Sequence, residues 1–145
     1  MIKISPQHTV FYTIEKAIKE YRKHAQKSIS QLVNDITLDQ IMVLTILDSD
    51  NDISQKDIAQ LLFKDHASIT RMIELLVRKE YLSRKTHKED GRKFQLIITK
   101  KGSSTLETLK PIIFQNRIDA LNGVSDAKIN QLYNTLNTII NNCTN

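Results

Sequence analysis

The side chains of this protein best able to do chemistry are arranged for binding, not for bond-making. His66, Ser68, Thr70 and Arg71 crowd one short stretch, and Arg84, Lys85, Lys88, Asp90, Arg92 and Lys93 crowd a second just after it. Hydroxyls, an imidazole and guanidinium groups offer hydrogen bonds to a polar surface, and ammonium groups neutralise anions. No Ser-His-acid set or glycine-rich phosphate loop is present, so no enzymatic activity is expected. His8, His24, His66 and His87 are too scattered for a metal site, and Cys143 has no basic cluster near it and reads as a passive thiol. The acids from Asp48 to Asp52 lack the glycine and glutamate of a calcium loop and read as a solvated connection. Neither a cofactor nor a metal is expected.

Charge identifies the class of partner. Between Lys64 and Lys101, eleven Lys/Arg stand against five Asp/Glu, a local balance of +6, whereas the whole 145-residue chain carries +5. The positive charge is therefore concentrated in about a quarter of the chain, which favours a polyanion over general solubility.

The elements that must position these residues follow from local patterns. Ser54, with Asp57 three residues on, fits a helix start, and Ile58, Ala59, Leu61 and Leu62 give that helix an apolar face. Phe63-Lys64 reads as a break. Asp65 can cap a second helix, in which Ile69, Met72, Ile73 and Leu76 recur at three- and four-residue steps. His66, Ser68, Thr70, Arg71 and Glu74 occupy its other face, near the N-terminus, where a recognition helix meets base edges. A strand over Tyr81–Thr86 and a second alternating from Phe94 to Thr99 enclose a charged tip, with Asp90-Gly91 as the turn. Two helices followed by a basic hairpin form a winged helix-turn-helix, suited to double-stranded DNA.

The flanks look like scaffolding. Apolar residues from Val10 to Val33 recur at helical spacing, so one long amphipathic helix is expected over about 8–34. Thr37 with Gln40 is a capping box before a helix whose core stripe is Ile41, Leu44 and Leu47. After the hairpin, Lys100-Lys101-Gly102 opens a helix carrying Leu106, Leu109, Ile112, Ile113, Ile118 and Leu121, with a kink or local strain expected at Pro111 and an end at Asn122-Gly123-Val124. Ser125-Asp126 caps a last helix with Ile129, Leu132, Leu136, Ile139 and Ile140, and residues 141–145 are expected to fray. These terminal helices are more apolar than so small a reader could cover, so they are expected to pack with those of a second chain. The expected fold class is mainly α (α+β). One domain spans 1–145, with the winged reader at 37–101 and dimerisation helices at 1–36 and 102–145.

Composition agrees. Three glycines and two prolines disfavour a sandwich, a barrel or a long disordered tail. A lone cysteine forms no internal disulfide, no apolar run is long enough to span a membrane, and no basic-then-apolar leader opens the chain. A cytoplasmic protein with no membrane partner is expected.

The layout resembles the MarR (multiple antibiotic resistance regulator) family of bacterial transcription factors over nearly the whole chain. Asp65-His66-Ala67-Ser68-Ile69-Thr70-Arg71-Met72 is similar to the start of that family's recognition helix. Asp90-Gly91-Arg92 matches its wing-tip D-x-R pattern, and Leu96 to Gly102 resembles its strand-to-helix exit. One departure is Glu80, where the family often has a glycine suited to a left-handed helix end. The resemblance implies a homodimeric regulator on an inverted repeat, with half-sites about 34 Å apart, acting as a repressor released by a ligand. It places Ser68, Thr70 and Arg71, with His66 close by, in the major groove. Arg92 would enter the minor groove, oriented by Asp90, and Lys85, Lys88 and Lys93 would bind phosphates. Arg84 would join either the wing's ion pairs or the phosphate set. It also makes Phe11, Tyr12, Tyr21 and His24 candidates to line a site for a small aromatic effector, although core or dimer packing accounts for them more simply. The competing function is a winged module that binds an acidic protein instead of DNA.

Arg92→Ala is expected to weaken binding to the cognate duplex and to lower the salt slope by about 0.9 if the side chain also neutralises a phosphate. A fluorescence titration showing unchanged affinity would remove the hairpin tip from the mechanism.

Overall fold

The computed structural model describes residues 5–86 and 94–144, which hold six α-helices and a two-stranded sheet. A 3-10 turn at Pro6–His8 leads into α1 (Val10–Leu32). The helix starts later than its apolar period suggests because Thr9 caps it, accepting from the Tyr12 N–H at 3.1 Å. It stops at Leu32 because Val33 is extended. Only Ala25 and Ile29 of α1 are buried, so much of its apolar stripe meets nothing in the same chain.

The centre of the chain forms the reader. α2 (Leu38–Ser49) opens on the expected Thr37–Gln40 capping box. α3 (Gln55–Leu61) is capped by Ser54, and α4 (His66–Arg78) by Asp65, whose carboxylate accepts from the Ser68 N–H at 2.7 Å. Ile41, Val43, Leu44, Ile58, Ile69, Ile73 and Leu76 bury completely between these helices. Leu61 departs from the expected apolar face of α3: it is 56% exposed.

Both reader helices end in the same way. After α3, Phe63 takes φ 57°, and its N–H and that of Lys64 bond back to the carbonyls of Gln60 and Ala59. After α4, Glu80 takes φ 68°, and its N–H and that of Tyr81 bond to Val77 and Leu76. These are Schellman ends, in which two backbone bonds hold a residue in the left-handed region. The family's glycine position thus keeps its geometry here with a glutamate, at a conformational cost.

β1 (Leu82–Thr86) pairs antiparallel with β2 (Phe94–Ile98), Leu82 opposite Ile98 and Arg84 opposite Leu96. Tyr81, expected to open β1, instead lies buried ahead of it. β2 runs directly into α5 (Lys100–Ala120), which Thr99 caps through the Gly102 N–H at 3.0 Å. A Cβ at residue 102 would lie 2.3 Å from the Tyr81 carbonyl oxygen, so only glycine fits this exit.

α5 runs through Pro111 without ending, and Pro111 is exposed, so the carbonyl that loses its helical donor is on the solvent side. Gly123 at φ 81° lies in the turn that follows α5, and Ser125 caps α6 (Asp126–Thr144). Of residues 141–145, expected to fray, 141–144 instead continue α6, and residue 145 lies outside the described residues. No residue of α6 is buried, and Phe11, Ile118, Leu121, Leu132, Tyr133 and Ile140 are exposed along α1, α5 and α6.

Glu80→Gly is expected to raise stability by about 1 kcal/mol by relieving the left-handed strain. Gly102→Ala is expected to lower it by about 3 kcal/mol through overpacking against fixed backbone. Denaturant unfolding of the two variants checks both signs.

Candidate nucleic-acid interface

The exposed face at the start of α4 carries the expected polar set. His66 and Arg71 are exposed, and Ser68 and Thr70 are half-buried. Asp65 organises this end. Its carboxyl is held below the usual carboxylate range, first by the Ser68 backbone N–H, then by the Ser68 hydroxyl, with Arg71 and Lys64 adding positive charge. The Arg71 guanidinium sits 3.4 Å from the Ser68 hydroxyl, which it reaches along its own helix. The Thr70 hydroxyl lies 3.0 Å from the His66 carbonyl and 3.2 Å from Gln55 Oε1, and it can donate to only one of them at a time. Gln55, at the first turn of α3, therefore steadies the reading face, a role the sequence patterns did not single out.

The hairpin supplies the second half. Arg84 and Lys85 are both exposed on β1, but adjacent strand residues project from opposite faces, so they cannot line one row of phosphates together. Lys88, Asp90, Arg92 and Lys93 lie outside the described residues, as does His87.

Two polar clusters tie the reader to its scaffold. Asp39, at the start of α2, pairs with Arg22 of α1 and with Lys64 of the α3–α4 turn, the latter at 3.4 Å. This ion-pair set spans the first helix and the reader, so Lys64 is a holding residue as much as a surface cation. Farther along, the Tyr81 hydroxyl donates to Asp35 at 2.6 Å, and Lys79 reaches the Asp35 carbonyl. Lys101 lies 4.4 Å from the centre of the Tyr81 ring and donates to the Lys79 carbonyl at 2.7 Å. Thr99 adds a bond to the Glu80 carbonyl at 2.6 Å. The end of α4, the base of the hairpin and the start of α5 are thus one unit.

A cavity of about 750 Å³ lies between α1, α2 and α5. Ile18, Tyr21, Met42, Ile46 and Phe114 line its apolar wall, Arg22, Lys110 and Arg117 bring cations to it, and Asp48 brings one carboxylate. Arg22 is engaged by Asp39 and Lys110 by Glu107 at 2.6 Å, while Arg117 makes no ion pair among the described residues. Of the aromatic residues proposed for an effector site, only Tyr21 lines it. Phe11 and Tyr12 are exposed near the start of α1, and His24 is exposed away from the cavity. Among the described residues no group of His, Cys, Asp or Glu is placed to hold a metal, and no helix is long and apolar enough to cross a membrane.

Comparison with known proteins agrees with this geometry. The model of the MarR family matches residues 36–94. The HTH-type transcriptional regulator SarZ of Staphylococcus haemolyticus (strain JCSC1435) is 28% identical over 133 residues, covering 92% of this chain and 85% of that one. The S. aureus MepR–DNA complex has the same fold, with a TM-score of 0.82 at 21% identity over 92% of this chain and 98% of that one. So does Bordetella bronchiseptica BpsR, whose structure is described as a mechanism for regulation of DNA binding by 6-hydroxynicotinic acid. Its TM-score is 0.82 at 21% identity, over 96% of each chain.

Burial, and then the hydrogen bond and charge of Asp35, push the Tyr81 phenol from 10.0 up to about 12. Because the folded value is raised, this contribution to stability is complete below pH 10.0 and is lost as pH rises through about 12. In an ultraviolet titration of the four tyrosines, Tyr81→Phe should remove a late-ionising phenol.

Proposed function

We propose a mode of action for a chain that belongs to the MarR family of DNA-binding transcriptional regulators: it is a repressor that grips an inverted repeat as a two-fold homodimer and lets go when a small anionic ligand enters its cavity. The observation that carries the DNA reading is the exposed polar start of α4, flanked by a basic hairpin in the one strongly positive segment of the chain. An α-helix of about 10–12 Å diameter fills the major groove, and its first turn meets base edges. His66, Ser68, Thr70 and Arg71 would form that reading face. Lys85, Lys88 and Lys93 would bind phosphates, with Arg84 at the wing's base. Arg92, oriented by Asp90, would enter the flanking minor groove.

The dimer reading rests on α6. A lone helix of this length is marginal in water, and α6 buries none of its residues within the chain. A second copy is the simplest cover for it and for the exposed apolar residues of α1 and α5. Two-fold pairing would set the two copies of α4 about 34 Å apart, one turn of DNA. The effector reading rests on the cavity, whose size suits a small molecule. Its apolar wall and the uncommitted Arg117 fit an aromatic carboxylate, the chemistry of the 6-hydroxynicotinic acid named for BpsR. Nothing in this activity requires catalysis, and a regulator of genes works in the cytoplasm.

Selection of bound duplexes from a random pool should return an inverted repeat. Equal binding to heparin and to every duplex would instead support an acidic protein partner. On the selected duplex, Arg71→Ala should weaken binding and lower the salt slope by about 0.9. If the effector reading holds, 6-hydroxynicotinic acid or a similar aromatic carboxylate should release the duplex from wild-type protein but not from Arg117→Ala. Equal release from both would remove Arg117 from the effector site.

A further inference from the structure

Among the described residues Phe63 is the most exposed large hydrophobic residue, at 94%, and it is held in the left-handed region at φ 57°. Both facts run against ordinary preference. A bulky side chain at positive φ is strained, and an aromatic ring in water gives up the burial that usually offsets such strain. The structure maintains it nonetheless. Two backbone bonds close the turn, from Phe63 to Gln60 and from Lys64 to Ala59, and the Lys64 ammonium is drawn to Asp39 at 3.4 Å. That pairing commits the turn's cation to the scaffold and leaves the ring as what the turn offers outward.

Position says what the ring meets. Phe63 precedes the α4 cap, Asp65, by two residues, so their Cα atoms are at most about 7.6 Å apart. The major groove is about 12 Å wide and an inserted helix fills it. A side chain standing off the turn at the start of that helix is within reach of the groove wall, where deoxyribose carbons and thymine methyl groups are the apolar surfaces. We infer that Phe63 is a DNA-contact residue, seated against the sugar edge of the groove beside the reading face of α4. This deepens the DNA-binding reading and rests on it. The contact is apolar, so it adds affinity without displacing counterions, unlike the arginines and lysines around it.

Phe63→Gly separates contact from structure, because glycine adopts φ 57° freely. Tested on the duplex selected by the wild-type protein, the variant should melt about 2–4 °C higher. It should bind about tenfold more weakly, and the slope of affinity against salt should not change. Equal affinity overturns the contact while leaving the DNA reading intact. Weaker binding with a lower melting point, or with a reduced salt slope, also overturns it, since the loss would then come from the fold or from phosphate contacts. A wild-type protein that selects no duplex removes the DNA reading and this contact together.

Discussion

The structure depends on one close approach of backbone to backbone. Where β2 turns into α5, Gly102 lies so near the Tyr81 carbonyl that no Cβ fits between them. Thr99 makes use of the same contact. Its N–H bonds the Tyr81 carbonyl at 3.1 Å, while its hydroxyl accepts from the Gly102 N–H that opens α5. Tyr81 is 1% exposed and is tethered at its far end to Asp35, in the connection between α1 and α2. The end of the reading helix, the hairpin and the long helix beyond it are thereby fixed in one orientation. A reader positioned in this way moves as a body with α5, which is what presenting two copies in register requires.

The polar contacts divide into two kinds. Those at the start of α4 are weakly committed: a half-buried hydroxyl with a choice of acceptors, and an exposed guanidinium resting on its own helix. Those behind the reader, Asp39 with Arg22 and Lys64 and Tyr81 with Asp35, are partly buried and hold elements far apart in the chain. Exposed groups with loose partners exchange water for base edges at little cost, whereas the shielded pairs are screened less and keep the frame in place. Because Arg22 both lines the cavity and pairs with Asp39, the same frame borders the site proposed for an effector.

What could be read from the sequence was local. Thr37 with Gln40, Ser54, Asp65 and Ser125 all cap the helices that they announce, because a cap is a bond across three residues. The helical periods of α2 and α4 and the alternation of β2 were legible for the same reason. The left-handed Phe63 was not, and Glu80 was marked only by the family's glycine at that place, since backbone bonds from the helices hold both against their residue type. Leu61 stands three residues from Ile58 and yet faces out, because Ala59 and Leu62 turn the buried face of α3 away from it. The ion pairs of Asp39 and the bond of Gln55 to Thr70 join residues distant in sequence, and no spacing rule reaches them. The wing-tip residues of the proposed site, Lys88, Asp90, Arg92 and Lys93, lie outside the described residues, so their reading stays with the sequence.

The central claim is that α6 and its neighbours pair two chains so that two copies of α4 read one duplex. Native mass spectrometry of the complex with a duplex carrying a single inverted repeat tests it most directly. The account predicts two chains per duplex, and the same two-chain species when the DNA is removed. A complex of one chain per duplex, from a protein that is monomeric in solution, would contradict it.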